Sequence, residues 1–505
     1  MRHEGSGTSV TLDAADHEGI TLLRHALRSA AYDPDHLRPL LHAEGENVLP
    51  RPEDVPVVKR LLPAHDRLAD LVRLFLLAEP TSEADAAAAL APLALERAIG
   101  LGVVARSEEG LRATIRILPS GGTFIACDRA HESEADLAPD HVMGVATSSI
   151  FLASLTVRHP VRDVLDVGCG NGVQSVLAAA HAERVVACDI NPRALVFTAF
   201  NARLNGTANV ETRSGSFFEP VAGQRFDLIV SNPPFVISPD SALTFRDSGL
   251  RGDEVSRHVV REAAAHLSEG GLAFVLVSWG VRVGEEWDAP LRGWVAGLGC
   301  DAWFLHHARG TVLGYAATWN SAILEVDPAR YERTIDRWTA YYRELGYDSI
   351  GYGATILRKR AGKAHWTRAD DIHGQREPAS GAQIARLIDA EDFLARSDDA
   401  AVLRARFAIE PGHRLDQVLR ARGGAFVVDE ATLRIEAGLR FSTTIDAFSA
   451  DLLARLDGTR TLRDAAAETA AHFSADGLAT DEVAREAVVV GRRLLALGLI
   501  RVADG

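Results

Sequence analysis

Lysine is nearly missing from this chain of 505 residues. Only Lys59, Lys359 and Lys363 occur, so the 54 Lys+Arg are almost all arginine, set against 69 Asp+Glu for a formal net charge of −15. Non-specific binding to phosphate backbones needs clustered cations; this acidic balance weighs against it, while leaving room for a local basic patch. Cysteine is scarce too. Cys127, Cys169, Cys188 and Cys300 form no Cys-x-x-Cys and have no histidine at zinc spacing beside them. They predict reduced structural thiols, with neither a disulfide framework nor a metal site. Apolar runs stop short of the roughly 18 residues that a membrane helix needs, so no membrane partner is expected. The opening Met1-Arg-His-Glu-Gly-Ser-Gly lacks an apolar signal core, which predicts a cytoplasmic protein.

The remaining composition, 47% hydrophobic and 24% charged, is that of a globular chain. At about 100–200 residues per domain its length predicts roughly three domains. The pattern places them at 1–138, 139–362 and 363–505. Residues 17–135 read mainly as helix, because Ile20 to Leu27 and Leu68 to Leu77 carry apolar residues at three- and four-residue steps. Ala84 to Ile99 reads as two short helices broken at Pro92. A strand, a Glu-Glu-Gly turn and a second strand follow from Val103 to Leu118, which suggests a winged-helix module. The stretch 82–99 is too acidic for a DNA-reading helix, so packing or partner docking is the expected role.

From 161 to 360 short apolar runs alternate with helical stretches. Val164-Leu-Asp-Val, Val185-Val-Ala-Cys, Val210-Glu-Thr-Arg, Leu228-Ile-Val and Leu272 to Val277 are the β-α-β signature of an open, mostly parallel sheet. Ile323-Leu-Glu-Val and Ile350 to Leu357 are candidates for late antiparallel strands. Lys359 to Ser380 reads as a linker, rich in Arg, Asp and Gly. Beyond it Phe426 to Ile445 alternates like paired strands, and helices are expected at 448–456, 461–473 and 481–497. The fold class is therefore α/β at the centre, with a helical amino-terminal part and an α+β carboxyl-terminal part.

Three motifs carry chemistry. In Asp163-Val-Leu-Asp-Val-Gly-Cys-Gly-Asn-Gly a strand runs into Gly168-x-Gly170-x-Gly172 and a helix opens at once. Glycine serves where the backbone turns tightly and a ligand comes close. This spacing is not the Gly-x-Gly-x-x-Gly of dinucleotide sites, and Asp166, two residues before the first glycine, suits an amino-bearing ligand better than a pyrophosphate. The next strand ends at Asp189, about twenty residues on, where a carboxylate can accept from both hydroxyls of a ribose. After the fourth strand comes Asn232-Pro233-Pro234-Phe235, at the carboxyl edge where open α/β sheets bind ligands.

With these motifs, residues 140–360 resemble the class I S-adenosylmethionine-dependent methyltransferases, and within them the Asn-Pro-Pro-[Tyr/Phe] branch that methylates planar nitrogens. That branch includes release-factor glutamine enzymes, ribosomal RNA guanine-N2 and adenine-N6 enzymes and DNA adenine enzymes. The resemblance implies a Rossmann-like sheet of seven strands, one antiparallel, and S-adenosyl-L-methionine as cofactor. It implies that Asp166 faces the methionine end, that Gly168, Gly170 and Gly172 pass under the cofactor, that Asp189 holds the ribose and that Ile190 lies against the adenine. Ser216-Phe217 stands where the family often has Asp plus an apolar residue. Asn232 is counted with both the cofactor and the catalytic residues.

The chemistry gives the loop a physical reason. An amide or aryl-amine nitrogen is a poor nucleophile because its lone pair is delocalised. The side-chain oxygen of Asn232 and the main-chain oxygen of Pro233 can both accept its N–H bonds, which positions it and favours loss of planarity, while Phe235 stacks on the planar group. Arg246 and Arg251, in Phe245-Arg-Asp-Ser-Gly-Leu-Arg, are candidates for substrate contact or for a solvated loop. His306-His307 reads as structural, and Trp279 as pocket lining or packing.

Asp451 to Asp464 with Leu497 to Val502 is similar to small winged-helix domains that bind leader peptides, although a compact cap or dimerisation module fits the same residues. The expected function is N-methylation of a protein or peptide nitrogen. An RNA base, a small molecule, and a cofactor-binding regulator without catalysis are the alternatives.

Overall fold

The computed structural model describes residues 11–42, 54–129, 137–240, 246–247, 249–362, 364–372, 380–473 and 480–503. The opening heptapeptide, Phe245 and Lys363 lie outside them. Side-chain caps start the amino-terminal helices: Asp16, Asp33, Asp66 and Ser82 each accept a backbone N–H from the first turn of the helix they precede. These open α1 (His17–Ser29), α2 (Pro34–Leu40), α4 (Arg67–Phe75) and α5 (Glu83–Leu90); α3 (Val55–Leu61) and α6 (Leu95–Gly100) complete the set. Two hairpins follow, β1 (Val104–Ser107) with β2 (Gly110–Ala113) and β3 (Ile115–Ser120) with β4 (Thr123–Asp128). The expected single hairpin is thus two, because the run from Gly110 breaks at Thr114.

The central sheet is built from α7 (Thr147–Leu155), β5 (Val161–Val167), α8 (Val173–Ala179), β6 (Ala182–Asp189), α9 (Pro192–Leu204), β7 (Val210–Ser214), β8 (Phe226–Ser231), α10 (Glu254–His266), β9 (Leu267–Val281), α11 (Ala289–Val295), β10 (Cys300–Thr311), α12 (Val312–Trp319), α13 (Ser321–Val326), α14 (Pro328–Leu345), β11 (Ser349–Lys359) and β12 (Thr367–Asp371). Its order is β12-β10-β11-β9-β8-β5-β6-β7, with β11 antiparallel to both neighbours and every other pairing parallel.

Three expectations are corrected here. The sheet has eight strands, not seven, because β12 adds to the edge. The supposed linker from Lys359 to Ser380 therefore contains a strand, while residues 373–379 lie outside the described set. Ile323-Leu-Glu-Val is helix α13, not a strand; a four-residue apolar run cannot distinguish the two by periodicity.

The chain divides into two compact units, residues 1–153 with 159–371, and residues 154–158 with 372–505. The boundary expected at 138/139 falls inside the first. There the helices and hairpins share one hydrophobic core with Ala194, Phe197, Phe200 and Leu204 of α9. The second unit holds α15 (Gly381–Arg396), α16 (Asp399–Arg404), β13 (Arg406–Ile409), β14 (His413–Arg422), β15 (Ala425–Ile435), β16 (Ser442–Thr444), α17 (Ala447–Ala454), β17 (Asp457–Thr461), α18 (Leu462–His472), α19 (Thr480–Ala496) and β18 (Ile500–Val502). It forms two three-stranded sheets, β17-β13-β18 and β14-β15-β16, around a core that includes Phe407, Leu433, Leu452, Leu462 and Leu495.

The added edge strand is held by charge. The Asp301 side chain is fully buried; it accepts from Arg358 at 2.7 Å, Arg360 at 2.8 Å and the Trp366 N–H at 3.1 Å. Burial pushes its carboxyl up, but the two guanidiniums and the N–H outweigh this and hold it low. Two residues further along β10, Trp303 Nε1 donates to Asp370 at 2.7 Å. Removing one member of a buried pair strands the others. Asp301→Ala should therefore lower unfolding free energy by about 3–5 kcal/mol in a denaturant melt; a loss under about 1 kcal/mol would contradict this account.

Candidate active site at the carboxyl edge of the sheet

After β5 the backbone passes Gly168 (φ +71°), Gly170 (φ +55°) and Gly172 (φ +77°), all in the left-handed region that favours glycine. The three are not equivalent. A Cβ on Gly168 or Gly170 would meet no atom within 4 Å, whereas one on Gly172 would lie 2.7 Å from Thr198 Oγ1. The first two leave open space for a ligand; the third lets α8 pack on α9. The turn is pinned from β6: Cys188 O accepts from Gly168 N at 2.8 Å and from Cys169 N at 3.0 Å.

Asp189 closes the same turn. Its Oδ2 accepts from Gly170 N at 2.9 Å and its Oδ1 from Asn191 N at 2.8 Å. Burial raises its carboxyl above the usual range, and these N–H bonds oppose the rise. Ile190 beside it is 64% exposed, a large apolar side chain open at the strand end. After β7, Ser216 N donates to Glu219 Oε2 at 3.2 Å, and Phe217, at φ +46°, lies edge-on to His258 with centroids 5.2 Å apart.

Asp166 is 1% exposed, and its Oδ2 accepts from Ser175 Oγ at 2.6 Å, which ties the end of β5 to the first turn of α8. All four cysteines are buried and free.

After β8, Ser231 Oγ donates to Val167 O at 2.9 Å and ties the two central strand ends together. Asn232 Nδ2 donates to Ser148 Oγ of α7 at 3.2 Å. Pro233 is buried. Phe235, 8% exposed, packs on Tyr352 with centroids 5.2 Å apart, in a cluster with Phe151 and His307.

Helices inserted between β10 and β11 grip the chain just beyond Phe235. Ile237 N donates to Tyr315 Oη at 3.2 Å, and Tyr342 Oη donates to Ile237 O at 2.8 Å. Asp240 accepts from Arg337 at 2.7 Å and from Trp338 Nε1 at 2.9 Å. Burial pushes the Tyr315 hydroxyl up to about 12, so it stays protonated.

Of the candidate substrate contacts, Arg246 is largely buried and pairs with Asp247 at 3.0 Å, and Arg251 pairs with Glu344 of α14 at 2.7 Å. Trp279 packs, donating to Trp287 O at 2.7 Å, and His306 stacks on Trp287 at 4.7 Å. Ser148, Thr198, Tyr315 and Tyr342 escaped the sequence reading, since nothing in their local sequence marks them.

Burial pushes the Asp166 carboxyl up to about 7, against the opposing Ser175 bonds. A raised folded-state value stabilises the fold below pH 4, and that stabilisation is lost as pH climbs towards 7. The melting temperature of Asp166→Asn relative to wild type should therefore rise between pH 5 and pH 7.5. A difference independent of pH would contradict the buried titration.

Residues 145–279 match the family described as Methyltransferase small domain. Residues 29–114 and 385–502 match two domains of unknown function, DUF7059 and DUF7782. A relative from Methanocaldococcus jannaschii, named for protein N5-glutamine methyltransferase activity, is 35% identical over 140 residues, 26% of this chain and 70% of that protein. The release factor glutamine methyltransferase of Xylella fastidiosa is 35% identical over 130 residues, 23% of this chain and 47% of that protein. Ribosomal RNA small subunit methyltransferase C of Escherichia coli is 34% identical over 130 residues, 25% of this chain and 34% of that protein. The chain thus spans less than half the length of the last two. Among the described residues no helix is long and apolar enough to cross a membrane. Coverage of the archaeal relative over 70% of its length, together with the family match over residues 145–279, decides the assignment: the chain belongs to the methyltransferase small domain family and is an S-adenosylmethionine-dependent methyltransferase.

Proposed function

We propose that this enzyme methylates a planar nitrogen of a protein or peptide, with Asn232, Pro233 and Phe235 as its catalytic loop. The observation that carries the reading is the bond from Asn232 Nδ2 to Ser148. With its amino group engaged as a donor, the amide has its carbonyl oxygen to offer a substrate N–H. Pro233 O supplies the second acceptor, and Phe235 with Tyr352 forms the apolar wall behind the planar group. Bound S-adenosylmethionine supplies the electrophilic methyl. The residues at the turn fit it: open space over Gly168 and Gly170, a carboxylate at Asp189 already aimed by two N–H groups, and an exposed Ile190 for the adenine. Ser216 and Phe217 flank the adenine end, while Gly172 and Asp166 hold the turn in shape.

The acceptor reading rests on charge. Arg246, Arg251 and Arg337 around the loop each pair with a carboxylate of the same chain, which leaves their charge internally matched and ill suited to a phosphate backbone. A ribosomal RNA base is the second reading, favoured by the likeness to the Escherichia coli enzyme. The carboxyl-terminal unit, which holds none of the motif residues, serves substrate capture in the manner of the winged-helix domains it resembles. Mass spectrometry of proteins, peptides and RNA from cells with and without the gene tests the assignment. A methyl group gained on a protein nitrogen supports it, and one gained on oxygen or carbon sinks it.

Two variants separate binding from chemistry. Asp189→Ala should weaken cofactor binding by about 1–3 kcal/mol in calorimetry, because charge-assisted hydroxyl bonds are lost. Asn232→Ala should keep most cofactor affinity and lose roughly 100-fold or more in turnover. Normal turnover by Asn232→Ala on a confirmed substrate would refute the proposed role.

A further inference from the structure

We infer that Asn201 is a positioning residue that couples the β3–β4 hairpin of the amino-terminal part to the glycine turn at the cofactor edge. The inference rests on the reading that this turn holds S-adenosylmethionine.

The need for such a residue starts with β4. Among the described residues it pairs as a strand only with β3, so its other edge carries backbone groups that must find partners; Asp128 N finds Val142 O at 3.1 Å. For Phe124 and Ala126 the partners are two asparagines one turn apart, Asn201 in helix α9 and Asn205 at its carboxyl-terminal cap. Asn205 Oδ1 accepts from Phe124 N at 2.9 Å, and its Nδ2 donates to Phe124 O at 2.7 Å. Asn201 Oδ1 accepts from Ala126 N at 2.7 Å, and its Nδ2 donates to Ala126 O at 2.8 Å. The match is geometric. Four helical residues rise about 6 Å, two strand residues about 6.6 Å, and a side-chain amide presents the same donor and acceptor as a neighbouring strand. The two residues thus stand in for a third strand.

They differ in where the remaining amino hydrogen goes. That of Asn205 returns to its own helix, at Asn201 O, 2.8 Å away. That of Asn201 goes to Asn171 O, also at 2.8 Å, and Asn171 sits between Gly170 and Gly172. Asn201 is fully buried, and every donor and acceptor it has is engaged. Asn171 is in turn fastened by its side chain, with Nδ2 donating to Met143 O at 2.9 Å and Oδ1 accepting from Val173 N at 3.0 Å. A turn made of glycines has little stiffness of its own, so its shape depends on such anchors. One amide therefore holds both the strand and the turn, and whatever displaces the hairpin acts on the cofactor edge. By reciprocity, cofactor binding acts on the hairpin.

Asn201→Ala and Asn205→Ala remove matching strand contacts, and only the first releases the turn. Calorimetry of the full chain with S-adenosylhomocysteine should show Kd raised about tenfold in Asn201→Ala and within about twofold of wild type in Asn205→Ala. Equal weakening in both would reduce Asn201 to a structural role and overturn the inference. Wild-type affinity in Asn201→Ala, with Asp189→Ala weakened, would overturn it and leave the cofactor site standing. Wild-type affinity in Asp189→Ala as well would remove the cofactor-site reading and the inference with it. Should Asn201→Ala not fold, hydrogen exchange on the wild type decides: S-adenosylhomocysteine should slow exchange across 123–128, and unchanged exchange there would overturn the coupling.

Discussion

Strand polarity is the constraint on which the rest depends. Because β5, β6, β7 and β8 run parallel, each delivers its following loop to the same edge of the sheet. The chain works outward from β5 through β6 to β7, then crosses back to β8 and β9, so the two directions part at β5 and β8. Crevices form at such points in open α/β sheets. The glycine turn and the Asn-Pro-Pro-Phe loop border this one, and Ser231 Oγ on Val167 O keeps its two walls in register. Asp189 arrives from β6, the neighbour on the other side of β5, and fastens the glycine turn by accepting from Gly170 N. Beyond the glycines, Phe217 at φ +46° also takes a left-handed backbone; for the other residues the topology brings them together.

Around this edge the molecule adds support from two directions. The amino-terminal helices and hairpins share their core with α9, so they are part of the body that carries the turn. On the other side, α12 and α14 contact the loop after Phe235 through Tyr315, Trp338 and Tyr342. Adjacent antiparallel strands such as β10 and β11 can be joined by two residues. Here residues 312–348 intervene, and their aromatic side chains hold Ile237 and Asp240 in place.

The features legible in the sequence were those that act locally. Gly168 and Gly170 are legible because only glycine turns so tightly, and Asp189 because it follows a strand at a fixed distance from them. Asn232 to Phe235 stands out as a rare tetrapeptide at the end of a strand. Asn201, Ser148 and Tyr315 carry no such mark, since each matters through a partner far away in the chain. Asp166 is legible through its motif, while its bond to Ser175 of the next helix is not. Strand β12 escaped for a related reason. Thr-Arg-Ala-Asp-Asp has no apolar alternation and becomes a strand only because Asp301 and Trp303 already stand beside it.

The place of β11 sets a problem for the ribosome. This strand lies between β9 and β10, yet it is made after both. Roughly 70 residues separate the end of β9 at Val281 from the start of β11 at Ser349, a delay of about 4–14 s at ordinary rates of synthesis. Throughout that interval the long, apolar β9 has a bare edge, and for the second half of it β10, which runs in the same direction, has also been made. A parallel β9–β10 pairing is then open to the nascent chain, and β11 must enter between them. The helices of residues 312–348 are made during this wait, so their length sets how long β9 stands without its partner.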